Sequence, residues 1–401
     1  MRFAFLTLGY HPDLLGGAFR YATELAERLA ARGHTVEVFS PNPGNALPWQ
    51  ESRAGVSLRR FPNVHGLFAL NWRRENARAR VLLAEALQGA KGPVLVGCHH
   101  AFFAPCLAGP TQPSVFIFHG PWHLEFLMGR ASRYSNRLVL LADRLIARVL
   151  RSVEQRAFQR VGCLLAVSQY SAQQLAAWYG RPPPAVRVIS GGMNPEVFRP
   201  TADRQALRRR LGLNEADYLF LAVRRLEPRM GLVTLLDAFA LAAKGFPAAR
   251  LWLAGGGAQR EELEARLRTL RLAPQARLLG VVPEATLAEL YNAADCSLVP
   301  SLDLECFGLA TIEALACGTP VLGSRAGATP EVLGPLGPEL LFEPGSVEAL
   351  AAKLRDVLDG RLSLPTRARC AAYARESFSW DRPVRALEQA FLESCGTNQP
   401  R

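Results

Sequence analysis

Asp295-Cys296-Ser297-Leu298-Val299-Pro300, then Ser301-Leu302-Asp303-Leu304, then Glu305-Cys306-Phe307-Gly308-Leu309-Ala310-Thr311-Ile312-Glu313: this stretch decides how the chain is read. Its opening is a short apolar run, the pattern of a strand buried on both faces. The chain must then turn between Ser301 and Phe307, and Gly308 lets the backbone pass close to a ligand with no side chain in the way. A helix is predicted to open at Gly308 and Leu309. The first N–H groups of a helix lack intrahelical acceptors and the peptide dipoles make that end positive, so these amides form a seat for a phosphate. Glu305 precedes the seat and Glu313 follows it by about two turns, which puts carboxylates on both sides of one anion site. Beside a bare phosphate they would only repel, whereas beside hydroxyl-bearing rings they accept several O–H bonds. A sugar nucleotide, which joins phosphate to sugar, suits that arrangement.

Glu305-Cys-Phe-Gly-Leu-Ala-Thr-Ile-Glu313-Ala-Leu-Ala-Cys-Gly318-Thr-Pro320 resembles the E-x7-E signature of retaining glycosyltransferases of the family-4 type. Cys306 stands where that family usually has Gly, which stiffens the turn. The resemblance covers nearly the whole chain. It implies an α/β protein of the GT-B fold, with two Rossmann-like, doubly wound parallel-sheet domains facing a cleft. It also implies that Glu305 faces the transferred sugar and Glu313 accepts hydrogen bonds from ribose hydroxyls, with Phe307, Gly308 and Leu309 at the donor.

The length of 401 residues exceeds what a single core supports, so two domains of about 200 residues each are expected. No apolar run reaches the ~20 residues that cross a bilayer, and Gly9, His11 and Asp13 interrupt the start before any signal-peptide pattern. A cytoplasmic protein is expected, with the inner face of the membrane as an alternative place. The eight cysteines (98, 106, 163, 296, 306, 317, 370, 395) show no metal spacing and are expected to be reduced and buried. Net charge is +12, which favours an anionic partner. However, the 47 basic residues include only three Lys (Lys91, Lys244, Lys353), a bias toward Arg that accounts for part of the excess.

In order, Phe3 to Leu8 reads as a strand, Gly9 to Gly16 as a loop, Gly17 to Ala31 as a helix closed by Gly33, and Thr35 to Phe39 as a second strand. Apolar runs at Val94 to Gly97, Ser114 to Phe118, Cys163 to Val167 and Val186 to Ile189 alternate with helical segments, as in a parallel, doubly wound sheet. A second series follows at Tyr218 to Val223, Leu251 to Ala254, Ala276 to Leu279, Cys296 to Val299 and Pro320 to Gly323. The Gly- and Pro-rich stretch Gly191 to Pro200 separates the two series and is placed as the hinge. Domains of 1–195 and 196–377 are expected. A final helix over 378–401 is implied by the resemblance to cross back to the first domain.

Gly16-Gly17 before a helix offers another phosphate or sugar seat, without the G-x-G-x-x-G dinucleotide fingerprint. His119 follows a strand at the carboxyl end, where open α/β sheets bind ligands, and matches the His of the family's H-G motif, which faces the C6 side of the donor sugar. Trp122 beside it is a candidate for stacking on a sugar face. His99-His100 either line the same cleft or pack. Val223-Arg224-Arg225-Leu226-Glu227-Pro228-Arg229-Met230-Gly231 resembles the family's G-R-L-x-x-x-K-G segment, whose Arg and Lys hold the donor diphosphate. Arg225 takes the Arg position, with the planar fork that suits phosphate. Met230 takes the Lys position, so one of two cations is missing. Either Arg224 or Arg229 compensates, or Arg225 and the helix amides act alone. Gly255, in Gly255-Gly256-Gly257 at a strand end, leaves room for ribose or base. Val282, in Gly280-Val281-Val282-Pro283, lies in the implied base-facing turn.

These residues lead to a retaining hexosyltransferase that moves sugar from a UDP- or GDP-linked donor to a hydroxyl of a glycan, lipid-linked or small-molecule acceptor. No metal and no cofactor are expected, because Asp303-Leu304-Glu305 only approximates a D-x-D motif. Glu305, Arg225 and His119 are the expected catalytic residues. The alternatives are a sensor that binds sugar nucleotides without catalysis, or another GT-B enzyme such as a sugar-nucleotide epimerase. Nucleic-acid binding is not expected, since no basic run interleaved with aromatics is present. Between Arg130 and Arg160 there are eight Arg (130, 133, 137, 144, 148, 151, 156, 160) against Asp143 and Glu154, a net of 8 − 2 = +6. Leu138, Leu141, Leu145 and Val149 recur there at helical spacing, so that segment either lies on an anionic membrane surface or turns its leucines to the core.

Overall fold

The computed structural model describes residues 1–63, 68–109, 112–131, 137–180 and 186–396. It divides into two compact units. Apart from residues 128–131, which group with the second unit, the chain leaves the first between Gly191 and Gly192, within the Gly/Pro-rich stretch, and returns to it between Ser379 and Trp380.

The first unit contains strands β1 (Arg2–Leu6), β2 (Thr35–Asn42), β3 (Gln50–Arg53), β4 (Val56–Pro62), β5 (Leu95–Cys98), β6 (Ser114–Phe118), β7 (Cys163–Ala166) and β8 (Val186–Val188). They lie in the order β3-β4-β2-β1-β5-β6-β7-β8, parallel except for the antiparallel β3–β4 pair at one edge. Helices α1 (Gly17–Ala31), α2 (Phe68–Gln88), α3 (Trp122–Ala131), α4 (Arg137–Gln159) and α5 (Gln169–Tyr179) connect them. The inner strands are apolar on both faces because helices cover both: every residue of β5 and β6 is buried. From β1 the chain winds out to β2 and the edge pair, then returns to β5 on the other side of β1. The direction of winding therefore reverses between β1 and β5.

The second unit holds β9 (Tyr218–Val223), β10 (Ala249–Ala254), β11 (Ala276–Gly280), β12 (Cys296–Val299), β13 (Val321–Ser324) and β14 (Leu341–Phe342), ordered β11-β10-β9-β12-β13-β14 and all parallel. Its helices are α6 (Arg204–Arg210), α7 (Leu232–Ala242), α8 (Arg260–Thr269), α9 (Glu284–Ala293), α10 (Leu309–Ala316), α11 (Thr329–Leu333), α12 (Val347–Leu358) and α13 (Arg367–Ser377). Here the winding reverses between β9 and β12. In open α/β sheets the loops beyond the carboxyl ends at such a reversal part and leave a crevice.

The last helix, α14 (Asp381–Gly396), packs in the first unit, with Phe391 against Phe3 at 5.7 Å. Glu388 takes two hydrogen bonds from the Arg32 guanidinium, 3.0 and 3.1 Å, and lies 2.7 Å from His34 Nε2.

Three strands go beyond the sequence reading. β3 and β4 form an edge pair whose outer face is polar, and β4 contains Arg59-Arg60, which reads as surface. Yet Arg60 is buried, neutralised by Asp13 at 2.6 Å and Glu51 at 2.7 Å. β14 is two residues long, too short for any periodicity. The seven cysteines with described side chains are free, and all but the partly exposed Cys163 are buried; the Cys395 side chain lies outside the described residues.

Candidate active site

In the second unit the loops that leave β9 and β12 are clamped to each other at the reversal. Arg224, the first residue after β9, is buried and donates from one guanidinium nitrogen to both Ser301 Oγ and Glu305 Oε2. Ser301 Oγ in turn donates to Glu305 Oε2 at 2.9 Å. Arg229 donates to the Leu304 carbonyl at 3.1 Å, one residue from Glu305. The Glu305 carbonyl accepts from Ala328 N–H at 2.7 Å. Gly327, at φ +59°, must be glycine, since a Cβ there would lie 2.2 Å from that same carbonyl oxygen.

Burial pushes the Glu305 carboxyl up, but the Arg224 and Arg229 guanidiniums, with the hydrogen bonds from Ser301 and Arg224, outweigh it and hold it below the usual carboxylate range. Glu305 is therefore a fixed, ionised acceptor and a weak base.

Immediately after it, Gly308 at φ +90° caps α10, and no side chain covers that helix end. Among the described residues, no protein acceptor takes the N–H groups of Gly308, Leu309 or Ala310. The helix start at which a phosphate is expected therefore presents open amides beside a fixed carboxylate. The Arg225 side chain is exposed and, among the described residues, its guanidinium has no protein partner; the ion pair with Glu227 that its neighbour suggests is not made.

The remaining expected residues fall less uniformly. Glu313, on α10, is buried and accepts from the Tyr291 hydroxyl at 3.3 Å. Met230 is buried at the end of a 3-10 turn, and Phe307 is buried with its ring 6.0 Å from that of Phe378. Val282 is half-buried. Gly255 also has a structural reason: at φ +139° a Cβ there would sit 1.8 Å from the Arg224 carbonyl oxygen. The sequence offered Arg224 only as a substitute cation. Its pairing with Glu305 spans 81 positions, and no local pattern reveals it.

In the first unit the loop after β1 leads through Gly16, extended at φ 162°, into α1 at Gly17, again with no side-chain cap. His11 N–H bonded to Thr23 Oγ1 at 2.9 Å ties that loop to α1. His99 follows β5, beside β1, and His119 follows β6; the two meet with Nδ1 of His99 3.0 Å from Nε2 of His119. Burial, with some help from His100, pushes His119 down to about 3, so the imidazole is neutral.

His100 accepts from Phe102 N–H at 3.1 Å and packs edge-on to Trp122 at 4.7 Å. Trp122 is half-buried and packs against the core of the first unit. Among the described residues, no three His, Cys, Asp or Glu side chains gather as a metal site.

Two family models divide the chain between them: Glycosyltransferase Family 4 over residues 15–197, and Glycosyl transferases group 1 over residues 203–377. A D-inositol 3-phosphate glycosyltransferase of Geodermatophilus obscurus is 31% identical over 397 residues, 95% of this chain and 85% of that protein. The chain belongs to glycosyltransferase family 4. Among solved structures, sucrose-phosphate synthase from Thermosynechococcus elongatus aligns over 99% of this chain and 100% of its own, with TM-score 0.82 and 22% identity. HepE from Anabaena, in complex with UDP and glucose, aligns over 98% of this chain and 100% of its own, with TM-score 0.74 and 22% identity. These likenesses establish the fold, GT-B.

Within this glycosyltransferase the Arg224–Glu305 pair makes a measurable contribution. The folded carboxyl titrates below its ordinary value of 4.5, so the pair's stabilisation is present above that pH and lost as pH falls through the folded value. Glu305→Gln leaves the Arg224 charge buried and unpaired, at a cost of about 3 kcal/mol at neutral pH. The gap in unfolding free energy between parent and variant is expected to be flat from pH 8 to 5 and to shrink below 4.5. Denaturant titrations across that range check it, and a gap that persists undiminished into acid would contradict the pairing.

Proposed function

We propose that this family-4 glycosyltransferase is a retaining hexosyltransferase that works without a metal ion, taking its sugar from a nucleoside-diphosphate donor. The observation that carries the reading is the row of unsatisfied amides at Gly308 to Ala310 set directly after the fixed carboxylate of Glu305. The amides and the free Arg225 guanidinium would receive the diphosphate. Glu305 would accept hydroxyl protons of the sugar, Glu313 would serve the ribose side, and His119 would serve the sugar from the first unit. The complexes of HepE with UDP favour uridine as the base.

As the bond from the anomeric carbon to the phosphate oxygen breaks, negative charge grows on the diphosphate. Preorganised donors there count most, each loss typically costing about 10² to 10³ in rate. The acceptor oxygen forms the new bond on the same face, and its proton passes to the departing phosphate oxygen. Both candidate protein bases argue for that route: Glu305 is held below the carboxylate range, and His119 is pushed down to about 3.

Helix α4 supplies the support for an acceptor class. Leu141, Leu145 and Val149 line its outer face at 60%, 62% and 57% exposure, with Ile146 at 42% beside them, so the core alternative does not hold for these residues. Arg144, Arg148 and Arg156 are exposed around them, while Asp143 and Glu154 are buried, so the outward charge is uncancelled. Arg133 lies outside the described residues, as do the side chains of Arg137 and Leu138. Among the described residues, no helix is long and apolar enough to cross a membrane. An aliphatic stripe flanked by Arg suits the surface of an anionic bilayer, where each Arg contributes about 1 kcal/mol. This favours a lipid-borne acceptor at the cytoplasmic face over the soluble inositol phosphate in the relatives' name.

Three measurements test these statements. Donor turnover is expected to survive EDTA; abolition restored by Mg²⁺ or Mn²⁺ would end the metal-free reading. Glu313→Gln should weaken binding of UDP itself, by roughly 1.5 to 3 kcal/mol, the worth of a hydrogen bond to a charged group. Glu305→Gln, assayed where it remains folded, should leave UDP affinity nearly unchanged and lower kcat/KM for the donor. Equal losses of UDP affinity in both variants would refute that division. Finally, the protein should sediment with phosphatidylglycerol vesicles at low salt and release at high salt. Replacing Leu141, Leu145 and Val149 with Gln should abolish binding without changing donor hydrolysis. Failure of the parent protein to bind at low salt would remove the membrane assignment.

A further inference from the structure

His99 and His119 stand at the carboxyl ends of neighbouring strands, beside the reversal between β1 and β5. Their rings are nearly parallel, 16° apart, with centroids 5.3 Å apart and 3.0 Å between Nδ1 of His99 and Nε2 of His119. Parallel rings meeting edge to edge at that distance share one proton in an N–H···N hydrogen bond. The direction of that bond decides what His119 can do. If His119 donates, its other nitrogen, Nδ1, presents a lone pair to the outside; if it accepts, Nδ1 carries the proton.

The accounting of buried polar atoms separates the two. His99 is 4% exposed, and its Nε2 is sealed from solvent with no hydrogen-bond partner. A neutral His99 that accepted at Nδ1 would have to carry an N–H at Nε2 with no acceptor. Its neighbour there, the Phe5 ring at 5.4 Å and 79°, offers only a weak π acceptor. If His99 donates from Nδ1, Nε2 keeps only a bare lone pair. Orphaned buried N–H groups are rarer in folded proteins than under-used acceptors. The partner ring is held in place as well: Tyr21 packs edge-on to His119 at 5.1 Å and is itself anchored by its hydroxyl to the Ile189 carbonyl at 2.9 Å. Among the described residues, Nδ1 of His119 has no protein partner, and it is not sealed from solvent.

We propose that His99 is a positioning residue that donates its Nδ1–H to Nε2 of His119, fixing His119 as the neutral tautomer protonated on Nδ1. With its one lone pair occupied, His119 presents a hydrogen-bond donor outward and has no free nitrogen with which to act as a base. It can then donate to an oxygen of a bound sugar and cannot take the acceptor's proton. The catalytic half of this statement rests on the reading that His119 serves the donor sugar; the tautomer does not.

The test uses the full chain labelled with ¹⁵N histidine, with long-range ¹H–¹⁵N correlation at neutral pH. Nδ1 of His119 is expected at a protonated shift and Nε2 at an unprotonated one; the reverse pattern overturns the proposal. His99→Leu should release His119 into a mixture of tautomers, whereas His99→Asn, whose amide can still donate, should restore the single form. An unchanged His119 spectrum in His99→Leu would equally overturn it. In turnover, His99→Leu should lower kcat/KM for the donor about tenfold with UDP affinity unchanged, and His99→Asn should recover most of the loss. The expected tautomer together with unaltered turnover in His99→Leu would confirm the positioning and remove His119 from the sugar-binding reading.

Discussion

The second unit depends on one buried charge pair. Arg224 and Glu305 lie on loops that leave adjacent strands and then diverge, where the sheet itself provides no hydrogen bonds to hold the chain. Two charges taken out of water are costly unless each is paired and its remaining hydrogen-bonding capacity is largely met. Here Ser301, the Arg229 guanidinium bonded to the adjoining carbonyl, and Ala328 N–H supply the surroundings. An apolar pair of equal volume would hold the loops about as well, but it would leave no carboxylate at the amides of α10. The pair is therefore better understood as fixing the position of a charge than as adding stability.

The two sheets solve the same problem with different chemistry. Both reverse winding at their centre, and both place the residues of interest on the loops at that reversal. The second unit gathers charge there: Arg224, Arg225, Arg229 and Glu305 around open amides. The first gathers neutral polar groups: two imidazoles pushed below neutrality by burial, beside the uncapped start of α1. Open amides among charges suit an anion such as a phosphate, and neutral oriented donors and acceptors suit an uncharged polar group.

What could be read from the sequence follows from the range of the interactions involved. Inner parallel strands show themselves as apolar runs because both faces are covered, and the expected run Tyr218 to Val223 coincides with β9. The uncapped start of α10 was legible because a helix start and its Gly are local features. The edge pair of β3 and β4 was not, because Arg60 is buried by partners at positions 13 and 51. Nor was the structural reason for Gly255, which is the approach of Arg224's own carbonyl.

Helix α4 joins these themes within the first unit. On its inner face Glu154 accepts from Trp122 N–H and Tyr179 hydroxyl, at 2.7 and 2.8 Å, and lies 2.7 Å from His123 Nδ1. One carboxylate thereby serves the unsatisfied amide start of α3, which lies only three residues past His119. The outer face of the same helix carries exposed aliphatic and Arg side chains. Burial of Asp143 and Glu154 leaves Arg as the charged side chain on the outer face among the described residues, while Glu154 satisfies the inner loop.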